Sequence, residues 1–128
     1  MDRPIAHIGD VFTVAFAVAL NGTSPGLDFY NNCSNRNKAR LLKLFQWLGG
    51  HGWINNDQKF KPIEGTKFFE FKDFQIRMPC FRTGNVMVIT HGFIKKTGAI
   101  PPAEIERAKR LMGEDAIMAR TPVKTMHA

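Results

Sequence analysis

The stretch from Lys67 to Lys96 constrains the fold of this chain more than any other. From Phe68 it reads FFEFKDFQIRMPCFRTGNVMVITHGFIKK. Side chains that alternate with period two point to opposite faces of a strand. Phe69 and Phe71 then share one face, with Phe68, Glu70 and Lys72 on the other. Phe74, Ile76 and Met78 share a face, with Gln75 and Arg77 opposite. The Gly84-Asn85 pair between Arg82 and Val86 is a hairpin signal. Val86 to His91 is β-branched and apolar, the pattern of a strand buried on both faces. The expectation is a small antiparallel sheet whose polar face gathers Lys72, Arg77 and His91, with Lys95 and Lys96 where the last strand leaves it.

The remaining segments supply helices to cover that sheet. Met1 to Gly9 reads as a leader. Val11 to Leu20 carries the strand formers Val11, Phe12, Thr13, Val14 and Phe16 and stops at Asn21-Gly22. It is also apolar after Arg3, as a signal peptide is, but Asp2 and Asp10 dilute the positive end and the run is short; a buried first strand is the favoured reading. Ser24-Pro25 starts a short helix to about Cys33. With Asn35 as N-cap, Arg36 to Leu48 places Leu41, Leu44, Phe45 and Leu48 on one buried stripe, and Gly49-Gly50 ends the helix. Arg36, Arg40, Lys43 and Trp47 form a second stripe, either a solvated face or a contact for a phosphate backbone. His51 to Lys61 reads as a polar loop. Ala103 to Met112 is a helix with Ile105, Ala108, Leu111 and Met112 inward, Glu106 paired with Arg110 and Gly113 as its end. Residues 113–128 read as a partly ordered tail, leaving 11–112 as one domain.

Composition narrows the function class. The chain has 128 residues and a net charge of +7. A small basic domain fits nucleic acid, an anionic surface or an acidic partner. No apolar run approaches the roughly 18 residues of a membrane span, so no membrane partner is expected. Cys33 and Cys80 lack metal-site spacing and read as reduced thiols in a cytoplasmic protein. The four histidines are scattered, there is no HExxH, and Gly49-Gly50-His51-Gly52 lacks the Lys-Ser/Thr of a phosphate loop. No metal and no cofactor are expected. Lys72, Arg77, Lys95 and Lys96 come from different parts of one sheet, and such cations stabilise charge growing on a phosphate in a transition state. With a histidine that titrates near neutrality, this set suits cleavage of RNA by attack of its own 2′-hydroxyl. The same residues also fit a plainer arrangement, in which Arg77 and Lys72 bridge Glu70 or Asp73 and His91 packs in the core.

Phe69-Glu70-Phe71-Lys72, Ile76-Arg77, His91-Gly92-Phe93-Ile94-Lys95-Lys96 and Pro102-Ala103-Glu104-Ile105-Glu106-Arg107-Ala108 occur in an order and spacing that resemble the RelE/HigB superfamily of type II toxin–antitoxin toxins, in particular its phage-derived, HigB-like branch. The resemblance is strong over 60–112 and looser over 11–59. It implies an α+β, microbial-ribonuclease-like fold: a small antiparallel sheet packed by two N-terminal helices and a C-terminal helix. It also implies a cytoplasmic toxin that binds the ribosome and cuts mRNA there without metal, neutralised by a helix-turn-helix antitoxin. Arg77 matches the family's sheet arginine, Lys72 the basic residue ending its strand, and Lys96 with Lys95 the basic pair after the last strand. Arg77, Lys72, Lys96 and His91 are the expected catalytic set. Lys95, Lys67, Arg82, Arg36, Arg40 and Lys43 are the expected RNA contacts. The family's strand lysines fall on Phe68 and Glu70, and no tyrosine follows Lys96, which leaves that role to His91. Two alternatives stay open: a non-catalytic nucleic-acid or protein-binding module, and a gyrase-directed toxin like the ParE branch.

Overall fold

The computed structural model describes residues 1–120. Its elements in chain order are strands β1 (Ile5–Ile8) and β2 (Thr13–Phe16), helices α1 (Pro25–Asn32) and α2 (Asn35–His51), strands β3 (Phe60–Pro62), β4 (Phe69–Asp73), β5 (Ile76–Thr83), β6 (Val86–Ile89) and β7 (Phe93–Ile94), and helix α3 (Pro102–Arg120). Among the described residues the strands form one seven-stranded sheet in the order β1-β2-β6-β5-β4-β3, with β7 added beside β5. The architecture is α+β, as expected. The sheet is mixed rather than antiparallel, because β2 runs parallel to β6 with Val14 opposite Met87 and Phe16 opposite Ile89. A parallel pair needs a long crossover, and α1 through β5 supply it.

The two faces of the sheet are covered unequally. Phe69 and Phe71 on β4 and Ile76, Met78 and Cys80 on β5 face α1 and α2, where they meet Leu41, Phe45 and Leu48. The Phe45 ring meets Phe71 edge-on at 5.0 Å. Burying Leu41, Phe45 and Leu48 completely contributes roughly 1.5–3 kcal/mol for each side chain. On the opposite face α3 lays Ala108 and Ile105 over Phe68, Phe81 and Val88, forming a smaller core. It covers only one end of that face.

Five local expectations change. Residues 5–8 of the expected leader are β1, which pairs antiparallel with β2. Arg3 grips Asp115 on α3 through Nε (3.1 and 3.0 Å) and Nη2 (2.9 Å), joining the start of the chain to α3. The N-cap of α2 is Ser34, whose hydroxyl accepts from the Asn37 N–H, not Asn35. Gly49 does not end α2: its carbonyl accepts from Val11 and Phe12, and Gly9 packs so closely that a Cβ there would stand 2.2 Å from the Gly49 carbonyl carbon. The helix runs to His51, and Gly52 caps it in the left-handed region at φ 81°. Gly113, with open space around it, is an exposed glycine inside α3, which continues to Arg120. On that helix Arg110 pairs with Glu114 at 2.6 Å, and Glu106 pairs with Lys109. The rest of the expected tail, residues 121–128, lies outside the described residues.

Candidate functional site

The uncovered part of the α3 face lies over β3, β4, β5 and β7. Pairing sets which side chains meet there. Lys61 on β3 is opposite Glu70 on β4, and Lys72 is opposite Arg77 on β5. Arg77 in turn faces Phe93 on β7. Even-numbered β4 residues and odd-numbered β5 residues share this face, so alternation alone brings Glu70, Lys72 and Arg77 together. A concavity of about 640 Å³ opens here, lined by Asp57, Lys61, Glu64, Glu70 and Lys95, with Ile100 and Ile105 as its apolar wall.

The electrostatics of this concavity are lopsided. Lys72 is 9% exposed, and its ammonium donates to the Asp57 carbonyl at 3.0 Å. Its pKa is lowered from the usual lysine value by burial first, then by Lys61 and Arg77, with Glu70 pulling the other way and Lys95 adding a further push down. Four cations thus act around one buried carboxylate, Glu70, with Glu64 and Asp57 also in the lining. The Arg77 side chain is 11% exposed. Its Nη1 donates to the carbonyls of Phe74 and of Ile76, the latter at 2.9 Å. Its Nε lies 3.5 Å from Glu70 Oε1 but makes no hydrogen bond. The ion-pair contact leaves this buried N–H without a hydrogen bond, which an incoming oxyanion can supply.

The expected site residues divide into those this cleft gathers and those it does not. Lys95 lines it, and the paired Lys72 and Arg77 adjoin it beside Glu70. Lys96 follows Lys95 on the exposed turn after β7. His91 does not join them. It is fully buried, with Nδ1 2.9 Å from Thr90 Oγ1 and Nε2 3.4 Å from Glu104 Oε1, and its ring stacks near Phe93. Burial, then Arg107 and Arg110, lower its pKa to about 4. The ring is enclosed, so the structure places His91 in the core and apart from the cations expected beside it. The plainer reading of His91 is the observed one, and the Arg77–Glu70 contact is also present.

The expected RNA contacts scatter. Lys67 is exposed beside the α3 residue Lys109. Arg82 lies on the α2 side of the sheet, over the Phe12 ring at 5.0 Å, with Nε donating to Gly84 O. Arg36 and Lys43 are exposed on α2, on that same side. Arg40 is committed to the buried Asp73, donating from Nε to both carboxylate oxygens at 3.0 and 3.1 Å. The sheet therefore separates Arg36 and Lys43 from the cleft, while Arg40 sits at the β4–β5 turn. Two participants were missed from sequence. Lys61 lay in a stretch read as loop, and its alternation with Phe60 was the available signal. Glu70 was read as an ordinary partner for lysines, whereas it is 3% exposed at the centre of the cationic cluster. Among the described residues no group of three or more His, Cys, Asp or Glu is placed to hold a metal ion, and no helix is long and apolar enough to cross a membrane.

The family model described as "Phage derived protein Gp49-like (DUF891)" matches residues 28–113, from α1 into α3. No curated protein matches the chain. The match spans most of the chain, and the protein belongs to this Gp49-like family, a family of toxin–antitoxin toxins related to the RelE/HigB-like toxins. Membership implies an antitoxin partner.

Proposed function

We propose that this Gp49-like chain is a ribosome-dependent endoribonuclease that cuts mRNA, using the cleft over β4, β5 and β7. The observation that carries the reading is Arg77: a nearly buried guanidinium whose Nε makes no hydrogen bond and only a 3.5 Å ion-pair contact with Glu70, set among Lys61, Lys72 and Lys95. A phosphodiester entering the cleft gives that N–H an acceptor and brings negative charge to a surplus of cations. In the reaction the 2′-oxygen attacks phosphorus and the P–O5′ bond breaks, leaving a 2′,3′-cyclic phosphate and a 5′-hydroxyl. Arg77 and Lys61 stabilise the charge that grows on the phosphoryl oxygens. Glu70 takes the 2′-hydroxyl proton as the guanidinium turns from it to the phosphate. Lys72, whose lowered pKa eases proton release, supplies the proton to the departing 5′-oxygen. Lys95 and Lys96 hold neighbouring backbone. The cytoplasm is where such a substrate is met, and the helix-turn-helix class is the antitoxin expected beside it.

One observation favours a second reading, a non-catalytic binding module on the same scaffold. The histidine expected to replace the family's tyrosine is buried and neutral. The two readings separate by primer extension on mRNA in a purified translation reaction. Cuts that require ribosomes and disappear with Arg77→Ala support the nuclease. Intact message beside folded protein supports the module, and DNA damage with intact message points to a gyrase target.

A further inference from the structure

The turn between β4 and β5 carries a bulky residue in a backbone conformation that burial does not offset. Phe74 has φ 53°, the only non-glycine residue at positive φ among the described residues. A bulky side chain is rare in that region, and glycine or asparagine takes it more easily. The ring is 74% exposed, so little burial offsets the conformation. It is nevertheless held. The Arg40 guanidinium lies 5.0 Å from the ring centroid and the Lys59 ammonium 5.4 Å. Both cations are drawn there by the buried Asp73, at 3.0 and 3.8 Å. Two cations against one carboxylate leave the turn positive.

The same turn touches the cleft through its backbone. The Phe74 carbonyl accepts from Arg77 Nη1, and the Gln75 carbonyl accepts from the Lys95 N–H at 2.7 Å. An exposed aromatic ring with two cations set over it, one backbone step from a phosphate site, suits single-stranded nucleic acid: a base stacks on the ring's open area while the cations meet the phosphates.

We infer that Phe74 is a stacking platform for a nucleobase of single-stranded RNA next to the nucleotide bound in the cleft. The inference rests on the RNA reading of that cleft and adds to it a site on the sheet's end. Strain at the turn is tolerated because the ring serves the ligand, in line with the clustering of backbone outliers at binding sites.

The test is fluorescence anisotropy with the full chain and a fluorescein-labelled single-stranded oligoribonucleotide, 2′-O-methylated throughout so that it cannot be cut. Phe74→Asn relieves the backbone and removes the ring; Phe74→Trp keeps a stacking face. Phe74→Asn is expected to bind roughly tenfold more weakly, with a melting temperature no lower than the parent's, and Phe74→Trp to bind at least as well as the parent. Equal binding by Phe74→Asn and the parent overturns the platform even if mRNA cleavage is intact. So does a parent that does not bind the oligonucleotide, or unchanged RNA binding together with loss of the antitoxin complex, which would assign the ring to a protein partner. A marked fall in melting temperature of Phe74→Asn also overturns it, by making the ring structural. Phe74-dependent RNA binding by a parent that never cuts mRNA upholds the platform and removes only the nuclease.

Discussion

Replacing Arg3 by alanine isolates the contact that fastens α3 over the sheet. Asp115 is fully buried and accepts from Arg3 Nε and Nη2 and from the Val18 N–H at 3.0 Å. Arg3→Ala leaves a buried carboxylate with the Val18 donor alone. Breaking a buried ion pair typically costs about 3–5 kcal/mol. The Arg3 side chain is 21% exposed, so water enters the space it leaves and screens part of the loss. The expected cost is about 2–3 kcal/mol, and urea unfolding followed by tryptophan fluorescence reads it as a lower midpoint at unchanged slope. Because α3 also forms the Ile105 wall of the cleft, the variant should lose activity as the temperature rises, before it unfolds globally. Arg3→Leu combined with Asp115→Leu removes both charges and should be less destabilised than Arg3→Ala. A cost below about 0.5 kcal/mol for Arg3→Ala would refute the reasoning, because the buried carboxylate would then not depend on its guanidinium.

Three further outcomes follow from single residues. Folding holds the His91 ring neutral, with its pKa lowered from 6.5 to about 4; between these values the unfolded chain binds more protons. Its contribution to stability is therefore complete above pH 6.5 and falls by about 3 kcal/mol as pH drops to 4; in pH-dependent urea titrations, His91→Gln should flatten that slope, and an unchanged slope would contradict it. A Cβ at Gly92 would stand 2.2 Å from the Phe29 ring, so Gly92→Ala should lower stability by about 1–3 kcal/mol, measured by thermal melting. Lys61→Ala should reduce mRNA cleavage about tenfold, or about 1.4 kcal/mol, while Arg82→Ala, on the other face, should leave the cleavage rate unchanged; equal losses would contradict the division of cations by the sheet.

The sequence shows its local patterns far more clearly than its long-range pairings. The β4–β5–β6 succession was legible because Phe69, Phe71, Ile76 and Met78 alternate cleanly and Gly84-Asn85 marks the turn. The α2 stripe of Leu41, Phe45 and Leu48 was legible for the same reason. The parallel pairing of β2 with β6 was not, since nothing in Thr13–Phe16 records a partner across the intervening helices. β1 was hidden because four residues with only two strong strand formers carry little period, and its role depends on Arg3 reaching Asp115 far along the chain. Gly49 and Gly113 were read as stops, but one accommodates the close approach of Gly9 and the other is simply exposed within a helix.

At the cleft, Lys72 and Arg77 followed from alternation plus resemblance, and Lys95 from its place after β7. Lys61 did not, because β3 is three residues long and pairs only once β4 is present. His91 lies in the core and not on the polar face, because sequence reports a titratable ring but not its enclosure. The α2 cations were assigned to the same surface because a charge stripe does not state which side of the sheet its helix covers. Phe74 looked like a continuation of the Ile76–Met78 face, and only the backbone turn reveals it as exposed.

The measurement that bears most directly on the central claim is primer extension on mRNA in a purified translation reaction, with the full chain and with folded Arg77→Ala, each with and without ribosomes. The account predicts cuts that appear only with ribosomes and weaken by at least about 100-fold in Arg77→Ala, as for loss of a transition-state donor. Intact message with the folded parent, or equal cutting by the folded variant, would contradict it.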